Sequence, residues 1–364
     1  MVRATTTSEP TVRVGFYDDP ACREHDAGPG HPERPERLDA LARGLRQGSL
    51  IERLTALPAR PATPTELLRV HTEEHVSLVA SSRGRTFRFD PDTQAGPRSY
   101  DAALLAAGAA ADAVDRVLLG EIDRAFCAVR PPGHHATADR AMGFCLFNNV
   151  AVAAAQALHR GLKRVMVVDF DVHHGNGTQD IFYDDPRVLY LSSHAFPFYP
   201  GTGALDEVGE GRGRGFTVNL PMPPGLGDEE YARVYRTIAE PIGRAFDPEL
   251  VLVSAGFDAH RGDPLAGMDL TRKGYAELTE VCLAIAEGSA RGRVVMALEG
   301  GYDLDAIAGA GAAVVGGLLG ARPGKLTWPA RGRLDPLVDA YRKLLAPFWP
   351  VLEGGVSGPV PPAC

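Results

Sequence analysis

Val165-Met166-Val167-Val168 leads without a break into Asp169-Phe170-Asp171-Val172-His173-His174-Gly175-Asn176-Gly177-Thr178. An apolar run that empties into two carboxylates, two imidazoles and a Gly-Asn-Gly turn reads as a buried strand ending in a polar loop. Alternate residues of a strand share a face, so Asp169, Asp171 and His173 are expected on one side at the strand's carboxyl end. Open α/β sheets hold their ligands at that edge. The cluster is a candidate metal site, and a solvated turn after a strand is the alternative.

Working outward, residues 11–16 are short and rich in β-formers, and residues 17–37 form a loop rich in Pro, Gly, His and charge. A helix is expected from Glu36, with Leu38, Leu41 and Leu45 on one face, and a second over 65–79. Residues 81–97 are polar and Arg-rich, whereas the Ala-rich segment 100–120 has strong helix propensity. Beyond it, strands at 125–129, 164–169, 188–192, 250–254 and 294–298 alternate with helices at 150–160, 228–246, 270–287 and from Asp303 onward. Such alternation predicts one α/β domain over 11–350, an open, mostly parallel sheet with helices on both faces. Residues 1–10 and 351–364 read as flexible ends.

Chemistry-bearing residues follow four of the strands, at 130–135, 169–176, 254–260 and 299–302. A fifth strand end, Ser192-Ser193-His194, opens a long aromatic loop through Phe198 and Tyr199. Loops gathered at one sheet edge are expected to form a single site.

Composition narrows the class. The chain has 364 residues, 45% hydrophobic and 23% charged, as in an ordinary globular protein. Its net charge of −8 and lack of a basic block argue against a nucleic-acid or anionic-membrane surface. Five scattered cysteines without CxxC spacing point to neither a disulfide framework nor a Cys-based zinc site. With no apolar leader and no run of 18 apolar residues, the expected location is the cytoplasm. Lysine appears only at 163, 273, 325 and 343 against abundant Arg, Ala and Gly, which suggests GC-rich bacterial coding.

Six strings occur in order: HPERPERL (31–38), RPPGHHA (130–136), GFCLFNN (143–149), DFDVHHGNGT (169–178), SAGFDAHRGDP (254–264) and LEGGYD (298–303). Together they closely resemble the zinc-dependent histone deacetylase and acetylpolyamine amidohydrolase family, over roughly residues 11–345. The Asn of HHGNG and the HPERPERL string are closer to the class II branch and its bacterial relatives. The resemblance implies the arginase/deacetylase-like fold and a metal-dependent deacetylase, a hydrolase that removes acetyl or other acyl groups from lysine side chains.

By the same resemblance Asp171, His173 and Asp258 bind Zn²⁺, with Fe²⁺ also compatible with two carboxylates and one imidazole. Tyr302 is implied as the oxyanion donor. His134 and His135 are implied as the tandem histidines, His135 carrying the proton, with Asp169 and Asn176 as their polar partners. A neutral partner leaves His135 less basic than a carboxylate would. Gly143, Phe144 and Tyr199 are implied as tunnel walls for an aliphatic acyl-lysine stem, with Tyr199 where the family usually has Phe. A structural K⁺ site is implied at Asp169, Asp171, His173, Ser192 and Ser193, and a weaker second one near Phe182, Asp185, Val188 and Phe216. Asp90, Asp92 and Thr93 are rim candidates.

Leu265 stands where one polyamine-preferring branch has Glu, which favours acyl-lysine peptides over acetylpolyamines. An acetylpolyamine or other small-molecule amidohydrolase is the alternative. A binuclear arginase-like hydrolase and a silent acyl-lysine binding protein are further rivals. Bacterial relatives suggest a homo-oligomer.

Overall fold

A computed structural model describes residues 12–329 and 332–353. In chain order its strands are β1 (Val14–Tyr17), β2 (Thr55–Leu57), β3 (Phe87–Arg88), β4 (Gln94–Ala95), β5 (Arg124–Cys127), β6 (Val165–Asp169), β7 (Val188–Ala195), β8 (Thr217–Met222), β9 (Leu250–Ala255) and β10 (Val294–Leu298). Eight of them form one sheet in the order β2-β1-β5-β10-β9-β6-β7-β8, and every pairing in it is parallel. The remaining pair, β3 and β4, is a small antiparallel ribbon. Every residue of β1, β5, β6, β7, β9 and β10 is buried. A parallel sheet needs such cover on both faces, and that explains why these strands read as unbroken apolar runs.

The cover comes from helices α1 (Glu36–Gln47), α2 (Pro64–Leu67), α3 (Glu73–Ala80), α4 (Ser99–Leu119), α5 (Asn149–His159), α6 (Asn176–Phe182), α7 (Asp228–Val234), α8 (Glu240–Phe246), α9 (Arg272–Ser289), α10 (Leu304–Leu318) and α11 (Asp335–Leu345). Helices α4 and α5 pack on each other, while α1 packs on α10, α10 on α9, and α9 on α7 and α8. The α1–α10 approach depends on Gly44, where a Cβ would sit 2.0 Å from the Ala308 carbonyl oxygen.

Several elements differ from expectation for identifiable reasons. The single helix expected over 65–79 is two, because Thr63 and Glu66 form a capping box for α2 while Thr72 caps α3. Between them His71 turns inward to bond other segments. The 228–246 helix passes through a π turn at Tyr235–Ala239, just ahead of Pro241, which has no N–H to donate. Strand β8 contains Pro221, a residue that argues against a strand in sequence but is tolerated here at the sheet edge. Strands β2, β3 and β4 and helices α6 and α11 were likewise not expected, and β7 runs on to Ala195. At the carboxyl end Pro350–Leu352 makes a short 3-10 turn with Leu352 buried. Residues 1–10 and 354–364 lie outside the described part.

Candidate metal centre and its surroundings

Strands β5, β10, β9 and β6 are consecutive in the sheet, so the four chemistry-bearing segments emerge side by side at its carboxyl edge. The alternating-face expectation for Asp169, Asp171 and His173 needs correction. Strand β6 ends at Asp169, and the next two residues of the set lie in the loop beyond it. Backbone hydrogen bonds shape that loop: Asp171 N donates to Asp169 Oδ1 at 3.2 Å, His173 N to Asp171 Oδ1 at 2.9 Å, and Val172 N to Asp258 Oδ1 at 2.9 Å.

Asp171, His173 and Asp258 each offer one ligand atom, and these atoms lie within 4.8 Å of one another. His173 Nδ1 is 3.1 Å from Asp171 Oδ1 and 3.2 Å from Asp258 Oδ2. Both carboxylates are fully buried, an arrangement that is costly without a compensating cation. Burial and the Asp171 charge raise the Asp258 pKa. For His173, burial works to lower the pKa, but the two carboxylates outweigh it and bring it to about 10.

The surrounding backbone fits an ion-binding cradle. A Cβ at Gly256 would fall 2.1 Å from Asp171 Oδ2, and one at Gly300 would fall 2.1 Å from Asp258 Oδ2. Gly300 N donates to Asp171 Oδ2 at 2.7 Å. Two hard carboxylate oxygens with one imidazole nitrogen suit a divalent ion such as zinc or ferrous iron.

The tandem histidines follow β5. Their rings lie 4.0 Å apart, centroid to centroid. His134 Nδ1 is 3.0 Å from Asp169 Oδ2, and Tyr190 OH donates to the same oxygen at 3.1 Å. Burial opposes protonation of His134, yet Asp169 and Asp171 prevail and raise its pKa to about 10. His135 Nδ1 is 2.8 Å from Asn176 Oδ1. Its burial, together with the charges of His134 and His173, lowers its pKa well below the ordinary range. The two adjacent imidazoles are therefore shifted in opposite directions, His134 toward the charged form and His135 toward the neutral one.

Their loop is held from below by residues to which sequence reasoning gave no role. Glu299, fully buried, accepts from Gly133 N at 2.6 Å and His134 N at 3.1 Å, while Ser254 Oγ donates to its other oxygen at 3.1 Å. Asn148 Nδ2 donates to the Ala136 carbonyl at 3.1 Å, and its Oδ1 caps α5 by accepting from Ala151 N. Glu33 is buried between two arginines, with Arg37 Nη1 at 2.9 Å and Arg130 Nη2 at 2.7 Å, and Arg37 Nε donates to the Gly301 carbonyl. The strings HPERPERL and LEGGYD contain these groups, but burial of an acid beneath a loop has no sequence signal of its own.

Tyr302 follows β10, 8% exposed, with the Arg37 guanidinium 5.1 Å from its ring centroid. Burial raises its pKa well above the ordinary value, so the phenol keeps its proton. Phe144 meets Tyr302 edge-on at 5.9 Å and His31 at 4.4 Å. Tyr199 meets His135 at 5.1 Å and His173 at 6.1 Å, and Phe198 stacks on His173 at 5.5 Å. Phe144 has φ +69, a strained value for an aromatic residue, and Gly143 has φ +56 with its missing Cβ 2.4 Å from His135 Cδ2. Phe144 N donates to Thr93 Oγ1, whose hydroxyl donates to Asp92. Leu265, Tyr199 and Phe198 are each more than a third exposed.

Around the implied K⁺ positions, the Ser192 hydroxyl pairs with His194 Nδ1 at 2.9 Å and the Ser193 hydroxyl with Tyr235 OH at 2.8 Å. Asp185 is held by Arg187. Cys22, Cys127, Cys145 and Cys282 are buried free thiols.

Residues 31–318 match the model of the histone deacetylase domain. A probable deacetylase of Archaeoglobus fulgidus is 44% identical over 286 residues, covering 78% of this chain and 79% of that protein. The human polyamine deacetylase HDAC10 is 42% identical over 356 residues, covering 93% of this chain but only 51% of the human one. Among solved structures, the crystal structure of the HDA15 HD domain superposes with a TM-score of 0.87 at 42% identity, covering 94% of this chain and 96% of that one.

Proposed function

Since the chain belongs to the histone deacetylase family, we propose that it hydrolyses the amide of acyl-lysine side chains in peptides or proteins, releasing the free amine and a carboxylate. The observation that carries this reading is the convergence of Asp171, His173 and Asp258 with His134, His135 and Tyr302 at one sheet edge.

Asp171, His173 and Asp258 would hold Zn²⁺, with Fe²⁺ the second candidate, and the bound ion would polarise the acyl carbonyl and acidify a water. His135 donates Nδ1–H to Asn176 and keeps Nε2 as the base that takes the proton of the attacking water. A C–O bond forms, the C–N bond breaks, and His135 passes that proton to the departing amine. His134, held as an imidazolium by Asp169, supplies fixed positive charge beside the reacting carbonyl. Tyr302 donates its phenol proton as a hydrogen bond to the developing oxyanion. Phe144 and Tyr199 line the path of the aliphatic stem, with Gly143 allowing close approach and Leu265 at its mouth.

A K⁺ ion beside Asp169, Asp171, His173, Ser192 and Ser193 would rest mainly on backbone oxygens and Asp169, because both serine hydroxyls have protein partners. Potassium dependence of turnover tests it, and the same titration covers the position near Phe182, Asp185, Val188 and Phe216. Among the described residues no helix is long and apolar enough to cross a membrane. We place the enzyme in the cytoplasm of a bacterium, as a homo-oligomer.

An acetylpolyamine is the second substrate reading, favoured by the similarity to the human polyamine deacetylase. Turnover of acetyl-lysine peptides, longer acyl-lysines and acetylpolyamines, by metal-loaded and chelator-treated enzyme, separates the two. Metal-dependent preference for lysine peptides is the expected result. Preference for polyamines would overturn the reading of Leu265, and no turnover of any substrate would overturn the activity.

A further inference from the structure

We propose that Asp263 is a positioning residue that fixes Tyr302 in place and joins it mechanically to the Leu265 rim. The inference rests on the reading of Tyr302 as the oxyanion donor.

The segment Gly300–Asp303 lies between β10 and α10 and has no regular secondary structure. Its Gly301 has φ +108, a conformation open to few other residues. The segment must therefore be held by bonds to its neighbours. Gly300 is held twice, its N–H donating to Asp171 Oδ2 and its carbonyl accepting from Phe257 N at 3.0 Å. The Gly301 carbonyl accepts from Arg37 Nε at 2.6 Å. The peptide N–H of Tyr302 itself has one partner, Asp263 Oδ2, at 2.6 Å, and the next N–H, of Asp303, reaches the same oxygen at 3.2 Å. Asp263 is 8% exposed, so little water competes for these bonds.

The other oxygen of the same carboxylate accepts from Leu265 N at 3.0 Å. Asp263 is anchored in turn by its own N–H, which donates to the His260 carbonyl at 2.8 Å. One side chain thus bridges the strand-end loop of β9, which carries the exposed Leu265, and the strand-end loop of β10, which carries Tyr302. A shift of the rim is transmitted to the donor through two hydrogen bonds on one rigid group.

The test is a double-mutant cycle on the metal-loaded full chain with an acetyl-lysine peptide: Asp263→Ala, Tyr302→Phe and the double variant, with kcat, KM, metal content and Tm for each. Asp263→Ala is expected to lower kcat by about 10- to 100-fold with KM within about threefold and metal content unchanged, since only donor placement is lost. The double variant is expected to be no slower than Tyr302→Phe alone. Should Asp263→Ala not fold, Asp263→Asn carries the same comparison, because its single oxygen serves one loop and releases the other.

Wild-type kcat in Asp263→Ala, loss of its metal, or losses that multiply in the double variant would overturn the proposal. If Tyr302→Phe turns over at the wild-type rate, the donor assignment fails and this proposal fails with it. A slow Tyr302→Phe beside a fast Asp263→Ala removes the positioning role alone.

Discussion

His134 and His135 are neighbours in sequence, nearly in ring contact, and yet their pKa values are pushed in opposite directions. Burial works against charge on both rings, but Asp169 and Asp171 prevail at His134, whereas at His135 the charges of His134 and His173 add to it. A carboxylate oxygen of Asp169 stands behind one and an amide oxygen of Asn176 behind the other. Only an imidazole that is neutral at rest can accept a proton, so His135 is the one whose loss should stop turnover. His135→Ala is expected to lower kcat by about 100-fold or more with metal content kept, as measured on acetyl-lysine peptide. Tyr302→Phe removes one hydroxyl and leaves the ring against Phe144 and Arg37, and its expected loss is likewise about 100-fold or more in kcat with Tm unchanged. A rate near wild type for either variant would take that residue out of the mechanism.

Elements account for why some of this was legible and some not. Strands β5, β6, β9 and β10 are fully buried, and so each announces itself as an apolar run followed by polar residues. The candidate metal-binding set is legible because its members fall soon after those runs. Helix α6 escaped notice because Gly175 and Gly177 look like a turn, although a Cβ at Gly177 would meet the Ala136 carbonyl at 2.2 Å, the close approach that makes the glycine necessary. Asp263 and Glu299 sat in plain view within the motifs, but which backbone N–H groups they receive is settled only when strands distant in sequence lie side by side.

Two changes test the element boundaries. Asn148 caps α5 and also holds the Ala136 carbonyl of the histidine loop, so Asn148→Ala should cost about 1–3 kcal/mol in stability and lower activity as well, read by denaturant unfolding alongside turnover. Gly300→Ala at the end of β10 drives a methyl group into Asp258 and Asp171 and should reduce bound metal, which elemental analysis measures.

For the molecule as a whole, acid is the expected weakness. His71 donates through Nδ1 to the Thr137 carbonyl and accepts at Nε2 from Asn148 N, so both nitrogens are committed in the neutral ring. Burial lowers its pKa to about 3. The unfolded chain binds a proton there below its ordinary value of about 6.5 while the native state refuses it, so stability falls as pH drops from about 6.5 toward 3. Glu66 adds to the same trend. Burial works to raise its pKa, but Arg60 and Thr63 outweigh this and hold it at about 2, so its contribution, complete above the ordinary carboxylate range, disappears as pH falls through that value. The urea midpoint should therefore decrease between about pH 7 and pH 5, and decrease less in His71→Gln, from which the titrating ring is gone. Chelation should lower Tm, because two buried carboxylates are left to face each other, and added Zn²⁺ should restore it.

The sheet order has one more consequence. The groups assigned to chemistry come from four consecutive central strands, whereas the aromatic pair Phe198 and Tyr199 hangs from β7, nearer the edge, and Thr93 and Asp92 come from the β3–β4 ribbon, which is no part of the sheet. Part of the proposed substrate path is thus built away from the reacting groups, although Phe144 and Leu265 share the loops after β5 and β9 with them. Transplanting residues 89–95 and 196–203 from a relative with other substrate tastes should change what is cleaved while the reacting centre stays as it is. A lineage of such enzymes has the same freedom, to diversify its clientele by exchanging outer loops around an inherited machine.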